Sequence, residues 1–185
     1  GVITATVETD SATDLATLTG TGNAYTITLA NTEVATIARL KTINDATTGT
    51  VTLNATTIAA DFDDTAANLN SAFTGITSHT GTLTLSAGAA AATIAQLKTI
   101  NAATTGTVTL NANTISQAYS DTAANLVSAF TGISSHTGTI EVTGDAPTVA
   151  QANILDAVTA GVITATVETD SATDLATLTG TGNAY

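Results

Sequence analysis

The 185-residue sequence has no cysteine, methionine or tryptophan, a single proline, and only three basic residues, Arg39, Lys41 and Lys98. Each absence excludes something. Without cysteine there are no disulfides, no thiolate-bound zinc and no thiol nucleophile. Fifteen Asp and Glu against those three cations give a formal net charge of −12, so a phosphate backbone is repelled rather than neutralised. The same deficit removes the basic face an amphipathic helix uses to settle on an anionic membrane, and no run approaches the ~20 apolar residues that span a bilayer. Nucleic acid and membrane insertion are set aside. There is also no nucleophile elbow, phosphate-binding loop or HExxH pair, and few cations to stabilise an oxyanion. The chain reads as non-enzymatic. It opens Gly-Val-Ile-Thr inside a strand pattern with no initiator Met, which reads as an internal excerpt.

Aromatic residues are scarce too, at 3%, so any core is thin and built from small aliphatic side chains. Hydrophobic residues reach 43% against 10% charged, with a mean hydropathy of +0.31, the reverse of the disorder signature. The chain is expected to fold, and a thin core suits stacked repeats. Self-similarity is plain at three lengths. Residues 1–25 recur letter for letter as residues 161–185, an offset of 160. Residues 36–82 match residues 93–139 at offset 57, with 37 of 47 positions identical. Beneath both lies a shorter unit, an alternating β-run followed by a helical run, six of which fill each 160-residue period at about 27 residues apiece.

Strands are expected at Val2–Val7, Tyr25–Leu29, Thr50–Leu53, Thr82–Leu85, Thr107–Leu110, Thr139–Val142 and Val162–Val167, where Val, Ile and Leu alternate with Thr. Helices follow from apolar residues three or four apart: Val34, Ile37, Leu40, Ile43; Ile94, Leu97, Ile100; Ala123, Leu126, Phe130, Ile133; Val149, Ala152, Leu155, Val158. Asp64-Thr65, Asp121-Thr122, Ser11 and Ser171 supply caps, and Pro147 suits a first-turn position. Gly49, Gly75, Gly81, Gly106, Gly132 and Gly138 punctuate strand entries and helix exits. Strand, helix and a second strand of the same kind make a βαβ unit with parallel strands and a right-handed crossover. The expected fold is therefore α/β: a right-handed parallel α/β solenoid with one strand and one helix per coil of about 27 residues. Residues 1–185 form a single array, with coils at 1–22, 23–47, 48–76, 77–104, 105–133, 134–160 and 161–182, one continuous parallel sheet on one side and helices on the other. The runner-up is a tandem of small α/β domains of about 57 residues.

Several residue groups are candidates for chemistry. His79 and His136, the only histidines, hold equivalent places in two SHTGT segments. Read as a general base or ligand they lack a nearby partner; read as exposed turn residues, duplication explains their equivalence. Asp61, Asp63 and Asp64 are the densest carboxylate group, and calcium wants several such oxygens. The matching segment, Ala118, Tyr119, Ser120 and Asp121, keeps one acid of three, so the favoured reading is a helix opening with a solvated acidic turn. Asp145, Asp10, Asp14, Asp170 and Asp174 read the same way. Asn54 and Asn111, with Asn44 and Asn101, recur at equivalent positions, as an amide ladder or as turn residues. Thr-x-Thr pairs fill the strands: Thr26 and Thr28, Thr50 and Thr52, Thr82 and Thr84, Thr107 and Thr109. Their two ranks resemble the flat ice-binding faces of solenoid antifreeze proteins; the plain alternative is that Thr suits a solvated β-surface.

The DTAANL helix opening, the SHTGT strand entry and the Thr-rich strands resemble the repeats of giant bacterial cell-surface proteins, such as the very large, acidic, Cys-free surface proteins of cyanobacteria associated with swimming, and related large adhesins. The resemblance implies an extracellular, cell-surface location and a structural or adhesive role, with no catalytic residues and no cofactor. The calcium-binding nonapeptide of many secreted repeat proteins is absent. The expected function is thus a structural segment of a surface or filament protein, a rod, coat or adhesin stalk that self-associates end to end through its open edges. An ice- or surface-binding solenoid and a calcium-dependent adhesin repeat are the alternatives.

Overall fold

Alternating Thr and aliphatic residues make strands here, but short ones. A computed structural model describes residues 1–185. In chain order the elements are β1 (Thr4–Thr6), α1 (Ala12–Leu15), β2 (Ala24–Thr28), α2 (Ile37–Asp45), β3 (Val51–Thr52), α3 (Ala55–Ile58), β4 (Phe62–Asp64), α4 (Ala66–Phe73), β5 (Leu83–Leu85), α5 (Ile94–Ala103), β6 (Val108–Thr109), α6 (Ala112–Ile115), β7 (Tyr119–Asp121), α7 (Ala123–Phe130), β8 (Ile140–Val142), α8 (Val149–Val158), β9 (Ile163–Thr164) and α9 (Ala172–Leu175). The strands form three three-stranded parallel sheets, β1-β2-β3, β4-β5-β6 and β7-β8-β9, in place of the single continuous sheet expected.

The sheets break because two turns of the chain are longer than the rest. After β3 the chain makes the short helix α3 and a further strand, β4, before α4; after β6 it makes α6 and β7 before α7. β3 pairs back to β2 while β4 pairs forward to β5, so within one turn the ladder ends in one place and restarts in another. Both short helices start on an asparagine: the Asn54 Oδ1 accepts from the Thr57 amide, and the Asn111 Oδ1 from the Thr114 amide, each at 2.8 Å. One strand and one helix per coil therefore describes the other turns but not these two. Strands β4 and β7 escape the period-2 pattern because they read Phe-Asp-Asp and Tyr-Ser-Asp.

Every helix opens on a side-chain cap. Ser11, Thr36, Thr65, Thr93, Thr122, Thr148 and Ser171 each accept from the backbone amide three residues on, and Thr93 with Gln96 and Thr148 with Gln151 close full capping boxes. Pro147 precedes the cap Thr148 instead of occupying the first turn. The long helices pack in sequence, α2 on α4, α4 on α5, α5 on α7 and α7 on α8, with α1 against α2. Their inward residues, among them Leu40, Leu69, Phe73, Leu97, Leu126, Phe130 and Leu155, meet Ile27, Leu83, Ile140 and Ile163 from the strands in one core. Burying each such side chain contributes about 1.5–3 kcal/mol. Two stripe assignments differ: Val34 is exposed ahead of α2, and Ile133 is buried just past the end of α7.

The glycines of the strand entries are places of backbone contact. A Cβ on Gly81 would overlap the Ala60 carbonyl, one on Gly106 the Gly81 carbonyl, one on Gly138 the Gln117 carbonyl, and one on Gly161 the Gly138 carbonyl. Two threonines, Thr104 buried and Thr159 half-buried, clamp the same spots. The Thr104 hydroxyl donates to the Gly81 oxygen (2.7 Å) and accepts from the Gly106 amide (2.9 Å), and Thr159 repeats both bonds with Gly138 and Gly161 at 2.8 and 2.9 Å. No helix is long and apolar enough to cross a membrane.

Candidate functional site

His79 and His136 are fully buried, not exposed turn residues as their SHTGT setting suggests. Parallel bridges from His79 to Thr104 and from His136 to Thr159 fix the backbone there, and aromatic rings from the preceding turn receive the imidazoles. The His79 ring lies 5.5 Å from Phe62 and 5.0 Å from Phe73; the His136 ring lies 5.5 Å from Tyr119 and 4.9 Å from Phe130. Four of the six aromatic residues in the chain thus serve the two histidines. The Nε2 atoms sit 2.8 Å from the Ala60 carbonyl and 2.9 Å from the Gln117 carbonyl, and since a carbonyl only accepts, Nε2 donates. The His136 Nδ1 lies 3.0 Å from the Thr159 hydroxyl, whose one proton it shares as acceptor with the Gly138 carbonyl, whereas the His79 Nδ1 is buried with no partner. Burial lowers both imidazole pKa values; the carbonyls of Ala60 and Gln117, and Asp61 near His79, oppose it. The sequence signal was present in the chain: both copies carry aromatics 17 and 6 residues before the histidine.

Burial has a parallel effect on Tyr119, whose hydroxyl donates to the Ala92 carbonyl at 2.7 Å and whose pKa is pushed up to about 12, against a smaller lowering from Thr114. A hollow of about 480 Å³ lies beside it, between residues 91–95 and 117–121, with Asp121 as its one carboxylate.

The acidic group Asp61, Asp63 and Asp64 is brought together in sequence only. Asp61 accepts from the Thr82 amide (2.7 Å), Asp63 from the Ser86 hydroxyl (2.6 Å), and Asp64 from the Thr65 amide (2.7 Å) and the Asn68 side chain (2.8 Å). No group of three or more His, Asp or Glu converges on a point suited to a metal ion. Asp121 repeats the Asp64 bonds with Thr122 and Asn125, and the Asn125 and Thr122 contacts hold its carboxyl below the usual range. Ser11 with Asp14, and Ser171 with Asp174, form reciprocal caps, which accounts for those acids.

The asparagines join neighbouring turns. Asn54 Nδ2 donates to the carbonyls of Ala30 (2.6 Å) and Glu33 (2.9 Å), and Asn111 Nδ2 to those of Ser86 (3.2 Å) and Ala89 (3.3 Å). Asn44 donates to the carbonyls of Ser71 and Thr74 near the end of α4, and Asn101 to those of Ser128 and Thr131 near the end of α7. They form no amide ladder: Asn54 and Asn111 serve locally, their Oδ1 atoms capping α3 and α6, and all four amides also close open carbonyls one turn away.

The Thr ranks follow the strand register. Thr6 pairs with Thr26, Thr28 with Thr52, and Thr84 with Thr109. Thr26, Thr50, Thr52, Thr107 and Thr109 are exposed, while Thr28, Thr82 and Thr84 are half-buried. Acids interrupt the ranks, with Asp63 opposite Thr84 and Glu141 opposite Thr164, and each rank ends where its sheet ends.

No protein-family model, no curated protein and no solved structure matches the chain.

Proposed function

We propose that this chain is a structural segment of an extracellular surface or filament protein, wound as a right-handed parallel α/β solenoid whose turns stack into a rod, coat or adhesin stalk. One observation carries the reading: after 160 residues the structure rebuilds its own beginning. Thr164 pairs with Ala184 as Thr4 pairs with Ala24, and the Ile163 amide reaches Asn183 at 2.9 Å as the Ile3 amide reaches Asn23 at 3.0 Å. The bonds that hold the molecule run mainly from one turn to the next, through the Thr47, Thr104 and Thr159 clamps and the Asn54 and Asn111 amides. That is the economy of a repeat array, whose stability is a sum of neighbour contacts. It supports an array over separate 57-residue domains, because the core cluster extends from Ala12 to Ala165.

The exterior location rests on the resemblance of the DTAANL and SHTGT segments to bacterial surface repeats. The calcium and ice-binding readings have no comparable support, since the acids of residues 61–64 are engaged separately and each Thr rank ends with its own short sheet.

Chains carrying one, two and three 160-residue periods test the reading by small-angle scattering. Six turns at about 4.8 Å per strand predict an axial gain of roughly 29 Å per period at constant cross-section. Flexibly linked beads, or a cross-section that grows with length, would overturn it.

A further inference from the structure

Of the three cationic side chains, two make salt bridges. Arg39 pairs with Glu33 at 3.1 Å and Lys41 with Asp45 at 2.6 Å. Lys98, half-buried on α5, instead sets its Nζ 2.5 Å from the Oδ1 of Asn125 on α7, the helix packed beside it. The other end of that amide is held as well, because Asn125 Nδ2 donates to Asp121 Oδ1 at 2.8 Å. An ammonium only donates and a carboxylate only accepts, so the two contacts fix which way the amide points. With a C=O bond of about 1.23 Å and an angle of about 120° at the oxygen, Nζ stands roughly 3.3 Å from Cγ, a near-attack separation. The amine is thus at the carbonyl and the acid at the nitrogen that would leave. The duplication supplies an internal control. Lys41, Asp64 and Asn68 are the same three residue types at offset 57, and Asn68 Nδ2 meets Asp64 Oδ1 at the same 2.8 Å. There Lys41 is drawn aside by Asp45, where the second copy has Ala102.

We propose that Lys98 and Asn125 join in a self-catalysed amide bond between α5 and α7, with Asp121 moving the proton and ammonia leaving. Lys98 enters as the neutral amine, one proton having passed to water, since only that form is a nucleophile. The Nζ–Cγ bond forms as the carbonyl electron pair shifts to Oδ1. Asp121 takes a proton from Nζ and delivers it to Nδ2, both nitrogens now being on the same carbon. The Cγ–Nδ2 bond then breaks, ammonia departs with that proton, and the pair on Oδ1 restores the carbonyl. Nothing is oxidised or reduced, and no further reactant is consumed. Hydrogen bonds from the Asn125 side chain and the Thr122 amide, opposed by burial and helped by the charge of Lys98, hold the Asp121 carboxyl below its usual range, so it is ionised and able to take the proton. The step happens once per chain and turns nothing over. It ties together residues 27 apart in sequence, across the packing of two neighbouring helices. The bond goes beyond the structural reading above and does not depend on it.

Intact-mass measurement on the purified 185-residue chain tests this directly. The parent should weigh one ammonia less than its sequence, and fragmentation of a digest should yield a branched peptide joining residues 98 and 125. Lys98→Arg should keep the full mass. Asp121→Asn, which removes the proton carrier, should slow the loss by about a hundredfold or more. Asp45→Ala frees Lys41 and should lose two ammonias, the second through Asn68. The proposal fails if the parent keeps its full mass after long incubation, if the branched peptide is missing, or if Lys98→Arg loses ammonia as the parent does. An undiminished rate in Asp121→Asn would overturn the role given to Asp121, and a single ammonia lost from Asp45→Ala would overturn the one given to Asp45.

Discussion

Acidification from pH 7.5 to 5.5 should unfold this chain far more easily than its surface suggests, because its two histidines are buried between aromatic rings. Burial holds each imidazole below its ordinary pKa in the fold, so the unfolded chain takes up protons first as pH drops. The stability that neutral histidines contribute is complete above the unfolded pKa of about 6.5 and is lost as pH falls below it, until the folded pKa is reached. One pH unit below 6.5, each group can cost at most about 1.4 kcal/mol, a ceiling of about 2.8 kcal/mol for the pair. Against a total of roughly 5–15 kcal/mol this is a large fraction. With a urea dependence of about 2 kcal/mol per molar, the midpoint falls, by at most about 1.4 M over this interval. Urea titrations followed by far-ultraviolet circular dichroism at half-unit pH steps would measure it. Carboxylates such as Asp121, whose folded pKa is lowered, lose their contribution only at more acidic pH, which separates the two windows. A flat midpoint between pH 7.5 and 5.5, or the same slope in the double variant His79→Gln/His136→Gln, would refute the reasoning.

The glycine contacts give a second outcome. Gly106→Ala drives a Cβ into the Gly81 carbonyl and should cost roughly 2–4 kcal/mol in chemical denaturation, while Gly88→Ala, in open space at φ +77°, should cost only about 1–2 kcal/mol. Asn111→Ala removes a helix cap and two bonds to the preceding turn, for a loss of roughly 2–3 kcal/mol by the same measurement. Asn111→Asp keeps the acceptor that caps Thr114 but removes the donor, so it should fall between Asn111→Ala and the parent.

Several elements of the α/β fold were legible in the sequence. The strand positions at residues 24–28, 83–85 and 140–142, the cap at Thr65 and the helix stripe through Leu97 and Ile100 follow from periods of 2 and 3.6 residues. What escaped depends on partners a full turn away. β4 and β7 have no alternating pattern because they are short and hold Asp64 and Asp121 ready for the helix that follows. His79 looks like any turn residue until Phe62 and Phe73 are placed beside it. Asn54 gives no sign from its neighbours that its amide reaches Ala30. Period reveals local geometry, whereas the partners of these side chains lie beyond its reach, 17 and 6 residues from His79 for its rings and 24 residues from Asn54 for the Ala30 carbonyl.

The backbone contacts at Gly81, Gly106, Gly138 and Gly161 also govern how the sequence can drift. Where carbonyl meets glycine directly, the rise between turns is set by bond lengths and not by side-chain volume. Ten positions differ between residues 36–82 and 93–139, including Phe62 against Tyr119 and Asp63 against Ser120, yet both copies keep the same ladder. The yardstick lies in the main chain, and the remaining letters are free to change without altering the measure.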